Sequence, residues 1–177
     1  MAAVMTSEER AREALQGFED RVSIAALNAI ESVVISGYEQ ELKIVEDRLR
    51  QSGIRVQRLA VSHAFHSPQM REMAGPFEKA ASLLEYAPPR VSLISSVTGR
   101  QVSRQEMIHA EYWGRQVSQP VRFREAMDTL AGQGETVFVE IGPGTALSGL
   151  GRQCLPGEGR LWIPSMKQGR GEWEQIL

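Results

Sequence analysis

Over the first third of the chain, short apolar runs alternate with segments of helical spacing. Residues 1–5 are apolar and read as a short strand. Thr6 or Ser7 can cap a helix after it, because a side-chain oxygen there accepts from an amide of the first turn. Glu8 and Glu9 then lie where the helix dipole favours acid. Ala11, Ala14, Leu15 and Phe18 share one helical face. Residues 22–27 read as a strand, and so do 32–36, where Val33, Val34 and Ile35 in a row mark a buried one. Gly37 breaks it. Leu42, Val45 and Leu49 give a helix over 39–51, and Gly53 follows as a C-terminal glycine should. Residues 54–61 alternate apolar Ile54, Val56, Leu59 and Val61 with Arg55, Gln57 and Arg58, which predicts a last strand with one wet face. Strand, helix, strand, strand, helix, strand is the split order of a ferredoxin-like unit, closed within residues 1–62.

The pattern then changes. Ser67-Pro68 can open a helix, since proline is tolerated in the first turn. Met70, Met73, Phe77, Ala80, Ala81 and Leu84 continue at helical spacing and read as core, until Pro88-Pro89 ends the helix. Residues 91–95 read as a strand and Thr98-Gly99 as a turn. Residues 107–117 and 120–130 read as helices, the second with Phe123, Ala126, Met127 and Leu130 on one face. Residues 137–141 read as a short buried strand. Gly142-Pro143-Gly144 follows, and Thr145 can cap a helix running through Cys154. Such a glycine turn before a helix can bind an anion, but the glycine and lysine spacing of dinucleotide and P-loop motifs is absent, so a structural turn is the better reading. Residues 156–177 read as a tail docked by Trp162 and Trp173.

Charge narrows the function. Lys plus Arg is 20 against 22 Asp plus Glu, a net charge of −2. No cationic excess is available to neutralise a phosphate backbone, which argues against nucleic acid as the main partner. No apolar run reaches the roughly 20 residues that span a bilayer, and the start lacks a signal-peptide pattern, so no membrane partner is expected. The lone cysteine, Cys154, permits no internal disulfide, reads as a buried thiol, and fits a reducing cytoplasm.

One segment is unusual. Ser62-His63-Ala64-Phe65-His66-Ser67-Pro68 places two histidines three apart, where the two halves of the chain meet. They could bind metal, but only distant His109 is available as a further histidine, and a zinc signature would add cysteines or carboxylates. One could serve as a general base, because imidazole titrates near neutrality. Both could be structural, capping the helix after Ser67. Spacing alone leaves these open.

A family resemblance bears on the choice. Ser-His-Ala-Phe-His-Ser-Pro is similar to the specificity motif of acyltransferase domains in modular polyketide synthases. In the same order along the chain, so are the segments from Val22 to Asn28, from Glu31 to Gly37, Arg55 to Val61, Tyr112-Trp113, Arg115-Gln116, Gln119 to Phe123, Phe138 to Gly144, and Leu161 to Met166. The resemblance implies transfer of an acyl group from coenzyme A to the phosphopantetheine thiol of an acyl carrier protein, through an acyl-serine, with no metal and no bound cofactor. It makes His66 the general base. It implies that a main-chain carbonyl, matched here to Gln116, orients the other ring nitrogen of His66. It ties His63, Ala64 and Phe65 to selectivity for malonyl units, Phe65 filling the space that an α-methyl would need, with malonyl-CoA as the substrate. Asn28 is a candidate cleft contact, although Ala29-Ile30 stands where the family usually has Gly-Pro.

The resemblance further implies an α/β fold in which residues 63–155 are late elements of an α/β hydrolase-like acyltransferase subdomain, and 156–177 the linker after it. The partners implied are an acyl carrier protein, and a neighbouring ketosynthase with its linker. The family's nucleophile lies in a Gly-His-Ser-x-Gly elbow, and the sequence contains no Gly-x-Ser-x-Gly. The expectation is therefore the carboxy-terminal portion of such a domain, inactive alone. The rival readings are a non-catalytic ferredoxin-like binding module and a free-standing malonyl transferase of fatty acid synthesis.

Overall fold

A computed structural model of the chain describes residues 1–103 and 105–166. It forms two compact units, Met1–Ala126 and Met127–Leu177, the second described as far as Met166. Trp173 lies outside the described residues.

The first unit opens with β1 (Ala2–Val4), α1 (Glu8–Ala14), β2 (Val22–Ala29), β3 (Ser32–Gly37), α2 (Glu39–Gln51) and β4 (Val56–Arg58). The four strands lie in the order β2-β3-β1-β4 with antiparallel neighbours, which is the expected βαββαβ arrangement. Ser7 caps α1 by accepting from Arg10 N. Arg48 reaches from α2 to donate to the carbonyls of Ala14 and Gln16 at the other end of α1. Val4, Val22, Val33, Ile35, Leu42, Val45 and Leu49 form one apolar core between the sheet and the two helices. Burial of each such side chain stabilises by about 1.5–3 kcal/mol. β3 is buried on both faces, as its Val-Val-Ile run predicts.

β2 carries an irregularity. Ile24 pairs with Ile35 and Ala26 with Val34, so Ala25 is an extra residue in the strand. Such a bulge shifts the side-chain parity, and Leu27 rejoins the core on the face that Ile24 occupies. On its outer side β2 receives Val121 in a single parallel bridge. Leu27 N donates to Val121 O at 2.8 Å, and Val121 N donates to Ala25 O at 2.9 Å.

The remainder of this unit is built around α3 (Arg71–Ala81) and α4 (Ala110–Ser118), followed by the start of α5 (Phe123–Gly132). Val97, Val102 and Tyr112 form a small second core. The second unit contains β5 (Val137–Glu140), α6 (Ala146–Cys154) and β6 (Leu161–Pro164), with β5 and β6 parallel. Phe138 stacks on Trp162 with ring centroids 4.3 Å apart.

Several expectations need correction. The last strand of the sheet is only Val56–Arg58, not 54–61. Residues 91–95 make a single bridge, Ile94 to Gln101, closed by a turn in which Gly99 N donates to Ser95 O. Residues 120–122 are not helical, because Val121 is extended along β2, and the helix starts at Phe123. Of the stripe from Met70 to Leu84 only Ala81 is buried; Ala80 and Leu84 are exposed and the rest are half-buried. Residues 161–164 form a strand that the glycine-rich, charged surroundings concealed. Cys154 is partly exposed rather than buried. Thr145 makes no capping hydrogen bond. Instead the Glu140 carboxylate accepts from Leu147 N at 3.0 Å and Ser148 N at 2.7 Å. A carboxylate already occupies the helix start, so the glycine turn before α6 is structural, as its sequence suggested.

Two glycines should respond oppositely to alanine. A Cβ on Gly37 would lie 2.7 Å from Val22 Cα and closer still to Arg21 O, both rigid backbone atoms. Gly37→Ala should cost about 1–3 kcal/mol, the usual range for overpacking. Gly149, within α6, has open space around it. Gly149→Ala should stabilise by about 0.5–1 kcal/mol. Urea unfolding followed by circular dichroism measures both, and equal effects would contradict the packing described.

Candidate functional site

The candidate site in the first unit is built around His66. Its backbone is left-handed, φ 56°, and among the described residues no other non-glycine residue has positive φ. For a residue with a Cβ this conformation costs roughly 1–2 kcal/mol, so it persists only where the surroundings hold it. Three hydrogen bonds do so. His66 N donates to Val117 O at 3.3 Å. His66 O accepts from Ser23 Oγ at 2.8 Å. The ring Nδ1 lies 2.8 Å from Gln119 O.

That last contact corrects one expectation. The orienting carbonyl belongs to Gln119, not to Gln116. Gln116 lies inside α4, where carbonyls point along the helix axis; its side chain approaches Ser96 Oγ at 3.4 Å. Gln119 is the first residue past the helix and is extended, φ −90°, ψ 158°. Pro120 enforces that geometry, because a residue before proline is pushed out of the helical region. The Gln119 carbonyl therefore turns sideways, toward the ring.

The contact also sets the chemistry of the imidazole. A carbonyl can only accept, so Nδ1 carries the proton and the neutral ring keeps a free lone pair on Nε2. Burial lowers the His66 pKa from its ordinary value of 6.5, against a smaller upward pull from the Gln119 carbonyl. The ring is thus neutral, and basic at one defined nitrogen, near pH 7.

His63 and Phe65 flank this ring in sequence and are more exposed. His63 Nδ1 pairs with Ser62 Oγ at 2.9 Å. The His63 and Phe65 rings are tilted against each other with centroids 5.8 Å apart. Phe65 is 46% exposed. Ala64 is half-buried, and its carbonyl accepts from Ser67 Oγ. Ser67 also accepts from Gln69 N, so serine caps the turn that the histidines were candidates to cap. Asn28 sits half-buried on β2. Among the described residues no cluster of three or more His, Cys, Asp or Glu could hold a metal ion. Sequence reasoning missed Gln119 and Ser23; the Gln-Pro step was a usable signal for the first, and nothing local marked the second.

The depressed His66 pKa has a checkable sign. Folding disfavours the charged ring, so its contribution to stability is present above pH 6.5 and is lost as pH falls through the folded value. An NMR titration of the native chain should place the His66 midpoint below 6.5, and unfolding in urea should raise it. A native midpoint above 6.5 would contradict the burial of the ring.

Comparison with known proteins gives a consistent picture. The family model described as the acyl transferase domain matches residues 1–175. Polyketide synthase GfsA of Streptomyces halstedii is 41% identical over 181 residues, covering all of this chain but 2% of that synthase. The phenolphthiocerol synthesis polyketide synthase Pks15/1 of Mycobacterium marinum is 40% identical, with all of this chain and 8% of that protein covered. The crystal structure of the acyltransferase domain from the second module of the salinomycin polyketide synthase superimposes with a TM-score of 0.94 at 38% identity, over 99% of this chain and 41% of that one. The chain thus spans less than half of that solved domain and a small fraction of the synthases. With the match over nearly its whole length, the chain belongs to the acyl transferase domain family and is homologous to the acyltransferase domains of modular polyketide synthases.

Proposed function

We propose that this chain is the carboxy-terminal, base-bearing portion of an acyltransferase that moves a malonyl unit from malonyl-CoA to the phosphopantetheine thiol of an acyl carrier protein during polyketide synthesis. The observation that carries the reading is the fixed imidazole of His66, with Nδ1 bound to Gln119 O and Nε2 left basic. In the first half-reaction Nε2 takes the proton of a serine hydroxyl as that oxygen attacks the thioester carbonyl. The carbon–sulfur bond breaks, and coenzyme A leaves with the proton. In the second, Nε2 takes the proton of the carrier thiol. The sulfur attacks the acyl-serine, and the serine oxygen is reprotonated. The serine comes from residues outside this sequence, which has no Gly-x-Ser-x-Gly.

Exposed apolar positions support the partial-domain reading. Val137 and Val139 on β5, and Ile141 just after it, are exposed where the sequence predicts a buried strand, Ile141 by 88%. Leu83, Leu84 and Val91, in the first unit, are exposed as well. A strand of such composition is normally covered. In this reading residues 1–62 are the small ferredoxin-like subdomain, 63–155 belong to the large one, and 156–177 lead into the linker. A ketosynthase of the same synthase is then a neighbour, and the cytoplasm the setting. Among the described residues no helix is long and apolar enough to cross a membrane.

Two outcomes test this. Incubated with radiolabelled malonyl-CoA, the chain alone should acquire no acid-stable label, whereas the complete domain should be labelled, and lose the label on His66→Ala. Stoichiometric labelling of a serine of this chain would overturn the division of labour. In the complete domain, joint replacement His63→Tyr and Phe65→Ser should raise methylmalonyl over malonyl kcat/KM by on the order of tenfold to a hundredfold, the worth of one methyl-sized pocket change. An unchanged ratio, with His63→Ala alone abolishing turnover, would reverse the roles of the two histidines.

A further inference from the structure

Ser23 stands apart among the groups that hold His66. The other two, Val117 O and Gln119 O, are main-chain acceptors at the end of α4, fixed by helix geometry and by Pro120. Ser23 alone contributes a side chain. It comes from a different element, β2, forty-three residues earlier in the chain. Its neighbours Val22 and Ile24 point into the core, so Ser23 points to the opposite face of the sheet, where it meets the His66 carbonyl. That carbonyl belongs to the one described non-glycine residue with left-handed backbone.

We infer that Ser23 is a positioning residue, whose hydroxyl locks the left-handed backbone of His66 and thereby selects the tautomer of its ring. Two backbone conformations compete. A left-handed histidine relaxes by rotating the peptide that carries its carbonyl toward the right-handed or extended region. That rotation turns the carbonyl away from Ser23 Oγ, so the hydrogen bond at 2.8 Å opposes it directly. The side-chain direction is coupled to the same backbone angles. Relaxation therefore swings the ring off Gln119 O. Without that acceptor nothing holds the proton on Nδ1, and imidazole reverts to the tautomer it prefers when free, with the proton on Nε2. The consequence for acyl transfer rests on the proposed role of His66, while the tautomer itself does not.

Imidazole nitrogen NMR of the 177-residue chain reads the tautomer without any assay of activity. The chain has three histidines, and the His66 signals are those lost in His66→Gln. At a pH where the ring is neutral, the unaltered chain should show a protonated Nδ1 and an unprotonated Nε2. Ser23→Ala should shift His66 to mainly protonated Nε2. Ser23→Cys, which is close in shape but a weak donor, should shift it the same way. Ser23→Thr, which keeps the hydroxyl, should restore protonated Nδ1. Protonated Nδ1 persisting in both Ser23→Ala and Ser23→Cys would overturn the inference, and so would protonated Nε2 in the unaltered chain. In the complete domain, Ser23→Ala should lower kcat for malonyl transfer on the order of tenfold to a hundredfold, with KM for malonyl-CoA little changed. A shifted tautomer with unaltered kcat would leave Ser23 as the positioning residue and remove His66 as the base.

Discussion

The outer edge of β2 is the constraint on which the site depends. Two backbone hydrogen bonds fix Val121 beside the bulge at Ala25, and Val121 follows Pro120 directly. Proline disfavours the helical region in a residue with a side chain before it, and Gln119 is extended, φ −90°, ψ 158°, so fixing Val121 also fixes where the Gln119 carbonyl points. The same strand sends Ser23 to the carbonyl of His66. One strand of the ferredoxin-like sheet thus sets both the backbone and the ring of the histidine. The strand is itself rigid because β3, buried on both faces, pairs along its other side.

The magnitudes agree with this view. A left-handed histidine costs roughly 1–2 kcal/mol. Three hydrogen bonds, each with a net worth of about 0.5–1.5 kcal/mol, are enough to hold it, and no single one offsets the strain with much to spare. A site built this way should be sensitive to the loss of any one anchor. The reward is a ring held with one known nitrogen basic, which a general base needs and a freely rotating surface histidine lacks.

Much of this was legible in the sequence. The ferredoxin-like unit followed from strand and helix periods, because its core residues repeat cleanly and its helix ends carry Ser7 and Gly53. The histidine motif was legible through family resemblance, and the homology now established agrees with it. What periodicity could not show was the non-local geometry. Residues 120–122 follow a helix and precede one, so they read as helical; their pairing with β2 comes from contacts roughly a hundred residues apart in the chain. The displacement from Gln116 to Gln119 has the same origin, although Pro120 was visible. Ser23 looked like an ordinary polar position on an alternating strand, and only the fold shows what it faces. The stripe after Met70 read as core because its spacing is helical, yet much of it is open to solvent in this chain.

Hydrogen exchange at two amides tests the β2 edge most directly. Leu27 N and Val121 N make the pair of bonds that joins the Gln-Pro-Val segment to the sheet. If that pairing governs the site, both amides should exchange as slowly as Ile35 N in the core strand beside them, and Pro120→Gly should accelerate Val121 without affecting Ile35. Exchange of Val121 at the rate of an open loop, with Ile35 fully protected, would show that the segment is not held by β2 and would remove the physical basis for the orientation of His66.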